Sequence, residues 1–312
     1  MSFTELNSVE HYIINQMSGV NLNVSQESNQ VNEPRSQYGT QWQFQSAEQL
    51  GRSVNEVIVE SQVKAALLRL NPDIQANPAL ADEVIHALRA ILISVNQVGL
   101  VKANEEFFQW LTGEKTMPFG ENNHHVSIRL IDFENLDNNQ YVITNQFRIH
   151  YRETKIPDIV MMINGIPVVV GEAKTPIRPS ISWLDGAHEI HNIYENAVPQ
   201  LFVPNILSFA TEGKEFFYGS VRCPLEFWAP WRLSNDDDVI ARSFGLGGVG
   251  KELKDLLNPA RLLDIMRNFS LFSSNKKKQR MKIIPRFQQY EGANKIVERV
   301  VEGKIKQGLI WH

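Results

Sequence analysis

Two apolar runs joined by the dipeptide Asn164-Gly165 constrain the fold of this chain most strongly. The first run, IVMMI, follows Asp158, and the second is IPVVV at 166–170. Asn-Gly between two such runs favours a tight β-hairpin turn, because both residues tolerate positive φ. The second run is apolar at every position, which is typical of a central strand buried on both faces. The pattern predicts a hairpin inside a sheet that other elements cover on both sides.

The rest of the sequence places this hairpin in an α/β fold. Apolar residues recur at helical spacing in four segments: 2–17, 53–70, 79–95 and 183–196. β-Branched and aromatic residues are typical of strands in four others: 126–133, 140–151, 201–211 and 216–221. Residues 18–50 are polar and indicate loop or weak strand. This order predicts a mixed β-sheet flanked by helices, with an N-terminal helical region.

The composition excludes several classes of protein. The chain has 312 residues, of which 43% are hydrophobic and 21% charged, so it is not disordered, collagen-like or a coiled coil. No apolar run reaches the roughly 18 residues of a membrane span, and no secretory signal opens the chain. A single cysteine, Cys223, excludes a disulfide framework and a zinc site built on cysteine pairs. We expect a cytoplasmic protein without a membrane partner.

The net charge of −4 gives no global positive field for nucleic acid. A nucleic-acid partner would therefore be held by local basic patches. The basic run that begins at Lys276 is the candidate patch. Lys276, Lys277, Lys278 and Arg280 are predicted to contact phosphates, and the alternative is a solvated linker.

Two carboxylates and a lysine at the open end of the hairpin are the residues best suited to chemistry. Asp158 precedes the first strand, and Glu172-Ala173-Lys174 ends the second. Oxygen ligands suit Mg²⁺, which supplies both a nucleophile and charge neutralisation for attack on phosphate. The alternative is a surface salt bridge, since the bare pattern recurs by chance about once in a chain of this length.

The register of the hairpin distinguishes these alternatives. With a strict two-residue turn and a regular ladder, Glu172 points to the opposite face of the sheet from Asp158. With a three-residue turn and Gly165 in the left-handed region, Asp158 pairs with Val170, and Glu172 becomes its diagonal neighbour on one face. A metal site therefore requires the bulged turn or an equivalent bulge, with Lys174 on the same face.

The sequence around these residues resembles a known family. NQFRIHYRETKIPDIVMMINGIPVVVGEAKTP (145–176) is similar to the nuclease core of the restriction (R) subunit of type I restriction-modification enzymes, in the PD-(D/E)xK nuclease superfamily. Further blocks resemble the family in its order: SVNEVIVESQVKAALLRLNPDI, VSIRLIDFENLDNNQYVITNQF, VPQLFVPNILSFATEGKEFFYGS and FWAPWR. The resemblance covers about residues 1–312 and is weakest at 18–50 and 232–275. It implies a restriction-endonuclease-like fold.

The resemblance also implies roles for individual residues. Asp158 and Glu172 match the metal-binding acids of the family. Lys174 matches the catalytic lysine, and the backbone carbonyl of Ala173 matches the usual backbone ligand. The implied cofactor is Mg²⁺.

Three auxiliary residues follow from the same comparison. Glu10 is the candidate for the acid that superfamily members often use on the first helix, the alternative being a solvated helix residue. Gln146, on the strand before the motif, is a further candidate. Family members often carry Gln-x-x-x-Tyr on the next helix; here Tyr194 matches, but Ile190 stands where the glutamine would be.

The end of the chain resembles the approach to a helicase motor. PRFQQYEGANKIVERV and GLIWH match the region just before the phosphate-binding loop, and Gln289 resembles a glutamine that contacts adenine there. We expect an endonuclease domain with N-terminal helices at 1–231, a helical connector at 232–275 and the start of a RecA-like helicase domain at 276–312. Because the chain stops before that loop, we expect it not to hydrolyse ATP.

The implied function is Mg²⁺-dependent cleavage of double-stranded DNA by the restriction subunit of a type I system. The intact subunit would also be an ATP-dependent DNA translocase and would assemble with modification and specificity subunits. Two alternatives stay open: a standalone repair nuclease, and a non-catalytic module of nuclease fold that docks DNA or partner subunits. The dependence of activity on metal distinguishes the catalytic functions from docking.

Overall fold

A computed structural model of the chain describes residues 9–23, 41–175, 180–232, 248–304 and 308. The helices in this part are α1 (His11–Ser18), α2 (Glu60–Leu70), α3 (Pro72–Ala76), α4 (Leu80–Val98), α5 (Leu100–Leu111), α6 (Trp183–His188), α7 (Glu195–Ala197), α8 (Gly248–Leu256), α9 (Pro259–Asn268) and α10 (Phe287–Glu302). A π-helical segment, Glu189–Tyr194, joins α6 to α7.

The strands are β1 (Gln43–Phe44), β2 (Thr116–Met117), β3 (Val126–Ser127), β4 (Tyr141–Asn145), β5 (Ile149–His150), β6 (Thr154–Lys155), β7 (Ile159–Ile163), β8 (Ile166–Ala173), β9 (Leu207–Thr211), β10 (Phe216–Gly219), β11 (Ala229–Pro230), β12 (Leu271–Ser274) and β13 (Arg280–Ile283). Seven of them form the main sheet in the order β1-β4-β7-β8-β9-β10-β11. Strand pairs β1·β4 and β8·β9 are parallel and the other neighbours are antiparallel, so the predicted mixed sheet is confirmed.

Strands β7 and β8 lie at the centre of this sheet, and every residue of both is buried. Helix α1 packs on β1 and β4, α6 packs on β8 and β9, and α4 and α5 pack together against the 199–202 turn. No helix in the described part of the chain is both long and apolar enough to span a membrane. The hairpin thus forms the core strands of an α/β fold flanked by helices, as its composition predicts.

The β7–β8 turn combines a tight loop with a bulge. Asn164 and Gly165 both have positive φ, 51° and 79°, and Ile163 pairs with Ile166, so the loop has two residues. The register then shifts, because Met162 pairs with Pro167 whereas Met161 pairs with Val169. The extra residue in β8 is a β-bulge. The predicted bulge is confirmed, at an equivalent position rather than in the turn itself.

Some predicted elements differ from the observed ones. Residues 2–8 of the first predicted helix lie outside the described residues. Of the predicted strand 126–133, only Val126–Ser127 is a strand. The Arg129 N–H donates to Asn71 Oδ1 at 2.8 Å, and Asn71 Nδ2 donates to the Arg129 carbonyl at 2.9 Å. These bonds replace a strand partner. Helix α5, which directly follows Gly99, was not predicted, and its buried aromatic side chains fill the core against α4.

The basic run is the turn of a hairpin rather than a linker. Lys276, Lys277 and Lys278 are exposed between β12 and β13, and Lys278 has a positive φ of 61°. Arg280 forms a bidentate ion pair with Glu105 of α5. The predicted domain boundary at residue 276 falls within this hairpin, and the division into domains stays a prediction.

Lys282 of β13 is buried against the core. Its Nζ donates a hydrogen bond to the Asn205 carbonyl at 2.7 Å and lies 3.8 Å from the centre of the Phe108 ring. No carboxylate pairs with it among the ion pairs of the described residues. Burial therefore holds the pKa of Lys282 well below the ordinary lysine value. Burial thus disfavours the charged form of this amine.

Replacing Lys282 with Met should leave the chain folded and at least as stable at pH 7, because an apolar side chain of similar volume avoids burying an amine. The Asn205 carbonyl keeps the amide of Asn104 as a donor, at 3.0 Å. The stability of the parental chain should rise as the pH increases towards the ordinary lysine pKa of 10.5, by at most about 1.4 kcal/mol per pH unit, because the unfolded lysine keeps its proton to higher pH than the native one. Urea denaturation at pH 7 and 9.5 measures this, with exposed Lys277→Met as the control. A variant that keeps the parental rise with pH would contradict the assignment.

Candidate active site

The bulge in β8 brings the two acids of the motif to one face of the sheet. Val160 pairs with Val170 and Ile159 with Gly171, so the next position along places Asp158 opposite Glu172. Paired residues in an antiparallel ladder point to the same face. Gly171 has no room for a side chain, since a Cβ there would lie 2.2 Å from the Phe209 ring.

Hydrogen bonds link the backbone and side chains of the motif. The Ala173 N–H donates to Asp158 Oδ2 at 2.9 Å, and Lys174 Nζ donates to Glu172 Oε1 at 3.2 Å. Glu172 is 3% exposed, and its Oε2 is buried and receives no hydrogen bond from the residues that the structure describes. A buried carboxylate oxygen without a hydrogen-bond partner is energetically costly.

The electrostatics of the motif are dominated by burial. Burial raises the pKa of Glu172 well above its ordinary range, the charge of Asp158 raises it further, and Lys174 opposes both. Burial also raises the pKa of Asp158, although the hydrogen bond from the Ala173 N–H and the charge of Lys174 act to lower it. Burial alone would lower the pKa of Lys174, but Glu172 and Glu189 outweigh it, so the pKa rises. Lys174 is therefore protonated, and the acids retain protons more readily than exposed carboxyl groups do.

Glu10 and Gln146 join this cluster from two other elements. Glu10, just before α1, is 1% exposed rather than solvated. Gln146 Nε2 donates to Glu10 Oε2 at 3.0 Å and to Asp158 Oδ1 at 3.3 Å, so one amide connects the two acids. Gln146 has a positive φ of 50°, a strained conformation that is enriched at functional sites.

Asn145, which sequence reasoning missed, completes this contact. Its Nδ2 donates to Glu10 Oε1 at 2.6 Å. Burial raises the pKa of Glu10 to about 7, although the amides of Asn145 and Gln146 act in the opposite direction. The only available signal for Asn145 was its position next to Gln146 within the predicted strand 140–151.

The helix after the motif contributes Tyr194 and a second residue that sequence reasoning missed. Tyr194 OH donates to Glu172 Oε1 at 3.4 Å. Ile190, which stands where the family glutamine would be, is fully buried among apolar residues. Glu189, one residue earlier, accepts a hydrogen bond from Lys174 Nζ.

Other predicted site residues lie elsewhere in the structure. Lys276, Lys277 and Lys278 are exposed on the β12–β13 turn. Arg280 and Gln289 line a cavity of about 340 Å³ that lies between β13, the residues after β10 and the first turn of α10. None of these residues contacts Asp158, Glu172 or Lys174 through a hydrogen bond or ion pair in the described part of the chain. Their predicted roles stay predictions.

The candidate site is built from few side chains. Across residues 9–23, 41–175, 180–232 and 248–304, no three His, Cys, Asp or Glu side chains form a ready metal-binding group. Asp158 and Glu172 are the two acids that share one face, and Glu10 is separated from Asp158 by the Gln146 amide. Any cation held here would need backbone oxygen or water as well as these carboxylates.

Comparison with known proteins assigns the family. Residues 26–227 match the family model described as "Type I restriction enzyme R protein N terminus". The chain is 29% identical over 266 residues to the type I restriction enzyme HindI endonuclease subunit of Haemophilus influenzae, covering 82% of this chain and 24% of that protein. It is 32% identical over 203 residues to a protein of Methanocaldococcus jannaschii assigned as type I restriction enzyme MjaVIIP endonuclease subunit. This match covers 59% of this chain and 18% of that protein.

Both relatives are described as endonuclease subunits of type I restriction enzymes. The chain belongs to the family of type I restriction enzyme R protein N-terminal regions. It spans 18% to 25% of the length of the four curated relatives that it matches.

Proposed function

We propose that this chain is the endonuclease region of a type I restriction (R) subunit and that it cleaves double-stranded DNA with Mg²⁺. The observation that carries the proposal is the placement of Asp158, Glu172 and Lys174 together, made possible by the bulge in β8. Family membership supports the same reaction class. A restriction-endonuclease-like arrangement of the mixed sheet is part of this proposal.

The oxygen ligands at the site fit a hard divalent cation. The buried, unpartnered Oε2 of Glu172 is the atom that most needs a positive partner. Asp158 and the carbonyl of Ala173 would complete the protein ligands, with Glu10 as an outer acid. Mg²⁺, when bound, supplies charge neutralisation and lowers the pKa of the attacking water. Two acids with pKa values raised by burial would lose their protons when the cation binds.

Lys174 is the residue that would act on the phosphate directly. Its pKa is raised, so its ammonium group carries a positive charge throughout the neutral range. Held beside Glu172, it would orient the attacking water and stabilise negative charge that develops on the phosphate. Gln146 would fix the Asp158 carboxylate, and Tyr194 would fix the Glu172 carboxylate.

We also propose further functions for the full-length subunit. By analogy with the family, its motor would use ATP to translocate DNA. Modification and specificity subunits would be its partners, and the specificity subunit would read the DNA sequence. The cytoplasm would be the site of action.

Magnesium dependence tests the proposal against the docking alternative. Plasmid DNA should be cleaved by the assembled enzyme with Mg²⁺ and left intact with EDTA. Asp158→Asn should lower the cleavage rate by at least about 10²-fold, because it removes a charged ligand from the site. Agarose electrophoresis of time points measures the rate. Asp82→Asn, which alters an exposed ion pair with Lys64, is the matched control. Parental cleavage by Asp158→Asn would leave docking as the better hypothesis.

A further inference from the structure

The helix that packs on β8 changes from an α-helix to a π-helix next to the candidate site. Residues Glu189–Tyr194 form a π-helix, in which hydrogen bonds join residues five apart instead of four. In a regular α-helix, Ile190 would lie one turn before Tyr194 and on the same face. The wider π turn lets Glu189 contact the motif lysine while Tyr194 contacts Glu172. Single π turns of this kind occur frequently at functional sites.

Close packing fixes this helix against the motif. A Cβ on Gly186 would lie 3.3 Å from both Glu172 Cβ and Ala210 Cβ, so the glycine permits the approach of α6 to β8. Ile190 is 0% exposed and belongs to the apolar core. A polar group at position 190 would be buried in that core, whereas the Glu189 side chain is 33% exposed and lies at the edge of the site.

Lys174 is held between two carboxylates. Its Nζ donates to Glu172 Oε1 at 3.2 Å and also makes an ion pair with Glu189 Oε2. The lysine side chain is 13% exposed, so these two acceptors replace most of its water. A lysine side chain is long and flexible, so a second acceptor restricts its ammonium group more than Glu172 alone would.

We propose that Glu189 is a positioning residue that holds the Lys174 ammonium group in place for DNA cleavage. This inference rests on the proposed function, because it assigns a role in the same site. The chain thereby carries its auxiliary acceptor one residue before the position that the family pattern indicates. The π-helix brings Glu189 to the lysine although it lies one position before Ile190.

Glu189→Ala should lower kcat for DNA cleavage about 10- to 100-fold, because a misplaced lysine loses much of its effect on the transition state. KM for DNA should stay the same or fall, since the change removes a negative charge near the phosphates. Glu189→Gln keeps an oxygen that accepts from Nζ and should retain most of the parental kcat. Initial cleavage rates of the assembled enzyme, measured against DNA concentration, give both constants. Glu134→Ala, which removes an exposed partner of Arg267, is the matched control.

Two results would overturn the inference. One is a parental kcat in Glu189→Ala. The other is an equal loss of kcat in Glu189→Ala and Glu189→Gln together with an equal fall in Tm, which would indicate a structural role in the helix.

A second measurement does not depend on cleavage. In the ¹⁵N-lysine-labelled chain, the Lys174 ammonium protons should exchange slowly with water and give an NMR signal, identified by its absence in Lys174→Ala. That signal should persist in Glu189→Gln and disappear in Glu189→Ala. Persistence in Glu189→Ala would refute positioning by Glu189. If the parental enzyme does not cleave DNA, the proposed function fails, and the NMR result still decides whether Glu189 holds the lysine.

Discussion

Lys174→Ala should abolish DNA cleavage by the assembled enzyme while ATP-driven translocation continues. The lysine ammonium is held next to Glu172 and Glu189. In the proposed function, translocation depends on the ATP-driven motor of the full-length subunit and not on this lysine. Removing one electrostatic donor from such a site typically costs about 10²–10³ in rate. Cleavage is measured on circular DNA with Mg²⁺ and ATP, and translocation by displacement of a bound triplex strand.

The folded state should tolerate this change. Lys174 offsets the charge of two nearby carboxylates, and the acids can keep protons when the lysine is removed, since burial raises the pKa of Glu172. Lys64→Ala, which breaks an exposed pair with Asp82, should cleave DNA at the parental rate. If Lys174→Ala also cleaves at that rate, the lysine is not catalytic. Loss of translocation as well as cleavage would indicate disrupted folding or assembly.

Glu172→Gln should remove the stabilisation of the chain by Mg²⁺. A ligand that binds only the native state at about 100 times its Kd raises the free energy of unfolding by about 2.7 kcal/mol. The parent should gain stability of this order, and the variant little or none, because an amide is a poor ligand for Mg²⁺. Thermal unfolding with and without Mg²⁺ measures the difference. Glu60→Gln, on a surface ion pair with Arg89, should retain the parental gain.

Without metal, we expect Glu172→Gln to have the opposite effect on stability. Burial raises the folded-state pKa of Glu172, so the unfolded chain loses this proton at lower pH than the native chain does. The contribution of Glu172 to stability is therefore present in acid and is lost as the pH rises above the ordinary glutamate value of 4.5. In EDTA at pH 8, Glu172→Gln should be at least as stable as the parent. A less stable variant under these conditions would mean that the carboxylate is stabilised by neighbours within the protein and needs no cation.

Several features were predictable because they depend on local chemistry. Asn164-Gly165 determines a turn with two positive φ angles, and the apolar run of β8 determines a strand buried on both faces. The motif residues could be named from type and spacing, and the resemblance identified the family to which the chain belongs. Hydrophobic periodicity also located α1, α2, α4 and α6, since burial of one helix face is a repeating local signal.

Other features required the tertiary structure. The bulge in β8 decides whether Asp158 and Glu172 share a face, and a shift of one residue reverses every side chain beyond it. Asn145 and Glu10 are 135 residues apart in the sequence and meet only because α1 packs on β4. No periodic pattern indicates such a pair, because the contact depends on packing between distant elements.

The sequence by itself determined which residues are available for chemistry, the central hairpin and the family. The tertiary structure decided their geometry: a bulge placed the acids together, and a π turn selected Glu189 instead of Ile190 to contact the lysine. Both are insertions of a single residue into a regular element. Local propensities barely distinguish the regular from the irregular form, so packing against the rest of the fold determines which one is adopted.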